Sequence, residues 1–361
     1  MLGTSALEQL ESMLRRHWRL GQNMVLCWAP DPHGLLTIVV PHYFLGNFTA
    51  THADSDTLDS DELFVRQLIS ESRRTSHDQI FEVAHRLGVS TSFIKLDEEF
   101  ALDDETLDAV DAVISRYSLG FVENRAVALF DIAEFSLFKP FQQASQLNSL
   151  SYSMNSAHTK LKREGVEVNF ARTTTGDGYY LWNRDTGTYP NLDLLTFFLL
   201  VLIDNAAARS QSAVGTVPLI RAGFHVGSHY ELSQAEGVNP TVFSYIVGDV
   251  TIELARLLDD AEPGAIRLGN FSSCLPDEPD RRSGPSDFLS RCRSELLEMN
   301  GLKVADRSID NLEFLDWSTG GSSARSIELI DKHGKPHTVH SVGLSAGLGK
   351  INLELGIRER L

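Results

Sequence analysis

Apolar positions recur with two different periods along this chain. From Phe138 onward, Phe141, Ala144, Leu147, Leu150, Met154, Ala157 and Leu161 fall every three or four residues, the spacing of an amphipathic helix. Pro140 sits in its first turn, where a missing N–H costs little. Asp193 to Ala208 is apolar on every side, which predicts a helix buried within a domain or at a subunit contact. Between these helices the pattern shortens. Arg125 to Asp131 (RAVALFD) reads as a short apolar strand ending in an acid, and Leu219 to Val226 as a strand with Ile220, Ala222, Phe224 and Val226 on one face. Val166–Thr173 and Tyr179–Trp182 flank the turn TTGDG and so form a hairpin. Asp249 to Leu258 is helical and Ala265 to Leu268 is another strand. The order β-α-β-β-α-β-α-β predicts an α+β sandwich, helices on a mostly antiparallel sheet.

The flanks are less regular. Residues 1–120 read as a mixed α/β N-terminal module: a helix over Ala6–Leu20, strand material over Met24–Val40 around the turn Pro30–Gly34, an acidic spacer over 52–62, and helical stretches ending with Asp104–Tyr117. Regulation or sensing is its default role. Leu275–Ser286, rich in Pro, Asp, Arg and Gly, reads as a loop. A helix over Phe288–Met299 and strands around Asp331–Gly334 come next. The expected division is 1–120 and 121–361, with a core at 121–272 and a C-terminal extension that completes the sheet.

Composition narrows the function classes. At about 150 residues per domain, 361 residues suggest two domains, or one large domain with extensions. The formal charge of −17 repels nucleic acid and anionic lipid, so neither is an expected partner. An anionic substrate would need a local cation or a bound metal. Cys27, Cys274 and Cys292 have no CxxC spacing, which fits a reducing compartment. The start MLGTSALEQL shows no signal-peptide pattern, and the apolar run Phe197–Ile203 is far shorter than the roughly 18 residues of a span, so a cytoplasmic protein is expected.

Three elements carry candidate chemistry. Asp131 ends its strand in FDIAEFS; it can cap the helix after it, or bind a hard cation while the amides of Ala133–Ser136 cradle phosphate. Asp177 sits in the hairpin tip Thr175–Gly178, either as an ordinary Asp-Gly turn or as a second carboxylate for a pair of divalent ions. Arg256 lies in the helix GDVTIELARL, either as an ordinary solvated surface arginine or, given its apolar neighbours, projecting into a cleft where it can meet charge on a phosphoryl group.

Together, FDIxxF, a GD hairpin about 45 residues on, RAGFHVG, GDxxxxxAR and EPGAI resemble the class III nucleotidyl cyclase catalytic domain (a palm, or ferredoxin-like, sheet with helices) over residues 121–272. The resemblance implies metal binding by Asp131, Asp177 and the carbonyl of Ile132, two Mg²⁺ or Mn²⁺ per site, and phosphate contact at Phe135 and Ser136. It implies a homodimer whose interface sites receive Arg256 from the opposite subunit. Lys332, on a late hairpin, is similar to the lysine that grips terminal phosphates. The base-reading positions are Thr173 and Tyr245, where purine cyclases carry Lys or Glu and Asp or Cys, and Ile252 replaces the asparagine that orients the ribose. NRAVALFDI and DKHGKPHTVHSV also resemble the bacterial pyrimidine cyclases of Pycsar anti-phage defence. The expected reaction is therefore UTP to 3′,5′-cyclic UMP and pyrophosphate, a second messenger read by a separate effector. The alternatives are a cytidylate cyclase, an adenylate or guanylate cyclase with an atypical pocket, and a non-catalytic sensor dimer.

Other matches carry less. Gly343–Gly347 fits GxSxG, but no His follows Ser345, which excludes a triad in that order. Gly343–Ile351 echoes a P-loop with one residue too many. His333, His337 and His340 lack a carboxylate or Cys at ligand spacing for zinc.

Overall fold

A three-stranded sheet covered on both faces organises the first 120 residues, so the strand Asn23–Asp31 is buried at five consecutive positions, Val25 to Ala29. The structure, a computed structural model, describes residues 4–51, 58–70, 72–97, 99, 101–213, 215–236, 241–315, 325–330 and 334–356. They divide into two compact units, Met1–Glu123 with His229–Val247, and Asn124–Ser228 with Gly248–Leu361.

In the first unit the elements run α1 (Thr4–Trp18), β1 (Asn23–Asp31), β2 (Gly34–Pro41), α2 (Phe44–Thr51), α3 (Leu58–Ser70), α4 (His77–Leu87), β3 (Ser92–Lys95) and α5 (Asp104–Ser115). The strands form an antiparallel sheet in the order β1-β2-β3. One face, with Val25, Leu35 and Ile94, buries Leu10, Leu14 and Trp18 of α1 and Val110 and Ile114 of α5. The other, with Leu26, Cys27, Ala29 and Ile38, buries Ile69 of α3 and Ile80 and Ala84 of α4. Ser76 caps α4 in a reciprocal capping box, and Asp103 caps α5 through the amide of Thr106. The module is mixed α/β, as its sequence predicts.

The second unit is built on β4 (Leu119–Ile132), α6 (Pro140–Arg163), β5 (Phe170–Thr174), β6 (Gly178–Asn183), α7 (Thr188–Gln211), β7 (Ile220–Glu236), β8 (Thr241–Val247), α8 (Asp249–Asp259) and β9 (Ile266–Gly269). After these come β10 (Ser273–Leu275), β11 (Glu278–Ser283), α9 (Pro285–Glu298), β12 (Lys303–Val304), β13 (Arg307–Ser308), β14 (Asn311–Leu315), β15 (Arg325–Ile330), β16 (Pro336–Ser341), β17 (Gly343–Leu348) and β18 (Ile351–Leu355). The ends of β4 and β7, and all of β8, belong to the first unit.

The main sheet has the order β15-β16-β9-β7-β4-β6-β5, with β8 paired to β7. β7 and β9 are parallel, whereas β4/β6, β5/β6, β7/β8, β9/β16 and β15/β16 are antiparallel. The fold class is α+β. One sheet face presents Ala126, Ala128, Phe130, Ala222, Phe224 and Val226 to a core filled by α6, α7 and α9. Phe130, Phe198, Phe224, Phe271 and Phe288 touch in sequence through that core, with centroids 5.2–5.9 Å apart. α7 is long and apolar enough to cross a membrane, but Leu194, Leu195 and every residue from Phe197 to Val201 are wholly buried, the environment of a core helix.

Two expectations need correction. Residues 275–286 are not a loop: β10 and β11 form an antiparallel hairpin, whose charged and exposed Glu278–Arg282 conceals it from any apolar pattern. The strand expected at Leu219–Val226 continues to Glu236 and pairs with β8, an element that the order β-α-β-β-α-β-α-β omits.

Candidate active site

The site begins where β4 runs out of apolar residues. Ala126, Ala128, Phe130 and Ile132 face the core, so period-two alternation turns Asp131 to the opposite face. Asp131 pairs with Gly178, the first residue of β6. A Cβ on Gly178 would lie 1.9 Å from the Phe130 carbonyl oxygen, so only glycine lets the hairpin press against the strand end. The TTGDG tip closes through Thr175 N–H to the Gly178 carbonyl at 3.0 Å, with Gly176 at a φ of +101°. Asp177 is held at both ends: its carbonyl accepts from the Ile132 amide at 2.9 Å, and its Oδ1 accepts from the Thr175 hydroxyl at 3.2 Å.

The two carboxylates converge. Burial raises the Asp131 carboxyl, Arg221 pulls it back down, and the charge and hydrogen bond of Asp177 raise it again. The Nε of Arg221 donates to Asp131 Oδ2 at 2.8 Å, its Nη2 donates to the same oxygen, and its Nη1 reaches the Ala261 carbonyl at 3.2 Å. Arg221 is a site residue to which motif and spacing give no role. Its signal lies in the alternation itself: Ile220, Ala222 and Phe224 face the core, so Arg221 must face the other way, on a strand beside β4.

The remaining candidates are spread around this pair. Thr173 is half-buried opposite Tyr180, which in turn pairs with Leu129, so it shares the Asp131 face. The Tyr180 hydroxyl donates to the Thr251 carbonyl at 3.3 Å, tying β6 to α8. Phe135 and Ser136 lie in a 3₁₀ turn, Phe135–Leu137, with Phe135 packed against the core and Ser136 exposed. Glu134 enters the turn in the left-handed region (φ 57°, ψ 25°), a strained position for a non-glycine residue. The expected amide cradle over Ala133–Ser136 is shorter by one, because the Ala133 N–H donates to the Leu219 carbonyl at 2.9 Å. α8 covers the Asp131 face closely, since a Cβ on Gly223 would come within 3.2 Å of Leu254. On that helix Arg256 donates to Asp259 at 2.9 Å, and Ile252 is 55 % exposed. Tyr245 lies on β8, in the other compact unit, and Lys332 lies outside the described residues.

The side chains of Asp131 and Asp177 bring carboxylate oxygens together, the donor type that suits Mg²⁺ or Mn²⁺. Among the described residues no cluster of three or more His, Cys, Asp or Glu side chains has metal-binding geometry. The other sequence matches are structural: Ser345 donates to Asn352 at 3.1 Å within β17/β18, the P-loop echo is that same hairpin, and His337 is bonded to Glu253 at 2.8 Å.

The sequence matches no family model, and no curated protein matches it. Solved structures with a similar chain path include the guanylate cyclase domain of RhGC from Catenaria anguillulae in complex with GTP, at 15% identity and TM-score 0.38, over 62% of this chain and 97% of that one. The adenylyl cyclase CyaB from P. aeruginosa gives 11% identity and TM-score 0.38, over 62% and 95%. A bacterial light-regulated adenylyl cyclase gives 12% and 0.34, over 62% and 91%. At these scores the reading of the site rests on the residues themselves.

Proposed function

We propose that this chain is a nucleotidyl cyclase that converts a pyrimidine nucleoside triphosphate, UTP on our reading, to its 3′,5′-cyclic monophosphate and pyrophosphate. The observation that carries the reading is the convergence of Asp131 and Asp177 at a strand end and a hairpin tip, with Arg221 beside them. The 3′-oxygen forms a bond to the α-phosphorus, the bond to the bridging oxygen of pyrophosphate breaks, and the hydroxyl proton passes to solvent. The nucleophile is tethered to its own electrophile, so the protein's task is positioning and charge neutralisation.

Asp131, Asp177 and the Ile132 carbonyl would hold the divalent ions, which when bound offset triphosphate charge and acidify the 3′-hydroxyl. Arg221, which donates to Asp131 in this structure, would turn to phosphate oxygens once a divalent ion takes its place on that carboxylate. The amides of the turn at Phe135 and Ser136 face the same task. Arg256, from the second protomer of a homodimer, and Lys332 would offset charge on the α-phosphate and leaving group. Thr173 and Tyr245 would read the base; a small hydroxyl and a bulky ring suit a pyrimidine. The N-terminal module 1–120 would regulate the catalytic domain 121–361. By the Pycsar resemblance, the cyclic product would signal phage infection to a separate cytoplasmic effector.

Incubating the protein with each of the four ribonucleoside triphosphates and Mn²⁺, and identifying products by mass, tests the reading. Cyclic UMP from UTP is expected. A cyclic product from CTP, ATP or GTP instead would correct the base assignment, and pyrophosphate release from none of the four would overturn the enzyme reading.

A further inference from the structure

Tyr180 stands on the same sheet face as Asp131. It pairs with Leu129 of β4 on one side and with Thr173 of β5 on the other. Its side chain is held at both ends: the backbone lies in β6, and the hydroxyl donates to the Thr251 carbonyl of α8 at 3.3 Å. α8 covers the sheet at β7, where Leu254 lies close over Gly223, and β4 separates β7 from β6, so the ring leans across β4 to reach the helix. Burial raises the pKa of the hydroxyl, and Asp259 and Asp131 raise it further, which keeps it a neutral donor in the field of both acids.

This ring bounds the corner in which a base would lie. Thr173 stands two strands from Asp131, about 10 Å at the usual strand spacing. A nucleotide with its phosphates at the carboxylates can therefore bring its base to Thr173. Cross-strand partners on one face have Cβ atoms about 5 Å apart, so a base at Thr173 also meets Tyr180. Both residues are partly exposed, so a ligand can touch them. An untethered side chain could swing aside for a larger base, whereas Tyr180 would first have to give up its bond to Thr251.

We infer that Tyr180 is a specificity-determining residue that limits the base to a single ring, a pyrimidine rather than a purine. The inference rests on the proposed cyclisation and deepens it. Its test is kcat/KM for UTP, CTP and ATP, with products identified by mass, in the parent, Tyr180→Leu and Tyr180→Phe. Removing the ring should lower the ratio of the better pyrimidine substrate to ATP at least about tenfold, chiefly by admitting ATP. Tyr180→Phe keeps the ring and should leave that ratio nearly unchanged. Should the leucine variant fail to fold, Tyr180→Met keeps more of the side chain's length and should shift the ratio in the same direction. A purely structural role would slow all three nucleotides together; such an unshifted ratio in an active variant would overturn the role of Tyr180 while leaving the cyclase reading intact. A shift in Tyr180→Phe as large as in Tyr180→Leu, or a parent that cyclises ATP as readily as a pyrimidine, would overturn it too. A parent that forms no cyclic product from any ribonucleoside triphosphate would overturn the cyclase reading itself, and this inference with it.

Discussion

Replacing Arg221 with methionine removes the guanidinium from Asp131 while keeping most of the side chain's apolar bulk. The pair is neither a surface nor a fully buried one: the Arg221 and Asp131 side chains are 27% and 13% exposed. Exposed pairs contribute about 0.2–1 kcal/mol, and stripping one partner from a buried pair costs about 3–5 kcal/mol. An intermediate loss of about 2 kcal/mol is therefore expected for Arg221→Met. In an Asp131→Asn background the uncompensated charge is gone, and the same substitution should cost about 0.5 kcal/mol, a coupling near 1.5 kcal/mol. Burial and Asp177 both raise the Asp131 carboxyl, so without Arg221 it rises further. A folded-state value above the unfolded one makes ionisation destabilising, and the Arg221→Met penalty should grow as pH increases from 4 to 7. Urea unfolding of the four proteins across that range, followed by tryptophan fluorescence, measures both quantities. Mn²⁺ should restore stability to Arg221→Met in the Asp131 background alone. A coupling below about 0.5 kcal/mol, or equal rescue by Mn²⁺ in both backgrounds, would refute the view that Asp131 is a buried charge awaiting a cation.

Two half-buried titratable groups in the same unit carry further expectations. Burial, with Glu295 nearby, pushes Asp193 up to about 7, so the fold loses stability as pH rises from about 4 to 7; Asp193→Asn should be more stable than the parent at pH 8 and equal to it at pH 4 in thermal unfolding. His225 is drawn down to about 4 by burial, while the unfolded chain takes up a proton near 6.5, so acidification from 6.5 to 4 should cost up to about 3 kcal/mol; His225→Gln should flatten that part of the pH–stability profile.

Legible and hidden features of this sequence divide along one physical line. Burial leaves a trace in the sequence: a helical period in α6, an unbroken apolar run in α7 and a short apolar run in the strand ending at Asp131, while turn chemistry marks the β5/β6 hairpin. Pairing leaves none. β11 forms from Glu278–Ser283, charged and exposed along most of its length, because its partner β10 supplies the hydrogen bonds. Arg221 looks like a blemish in an apolar strand until β7 is seen to lie beside β4, and that neighbourhood joins segments 90 residues apart. The Ala133 amide, which looks free for an anion in FDIAEFS, is committed to Leu219 across a similar distance. The site is therefore half legible: its two acids emerge from strand-end and turn chemistry, whereas the cation and the spent amide depend on topology.

The most direct test of the central claim is calorimetric titration of the protein with Mn²⁺ alongside Asp131→Asn and Asp177→Asn. Joint ligation predicts that each single substitution removes most of the Mn²⁺ affinity, and that the double substitution loses little more than either. Mn²⁺ binding in both single variants at the parent's affinity would show that these carboxylates do not share a metal, and would contradict the account.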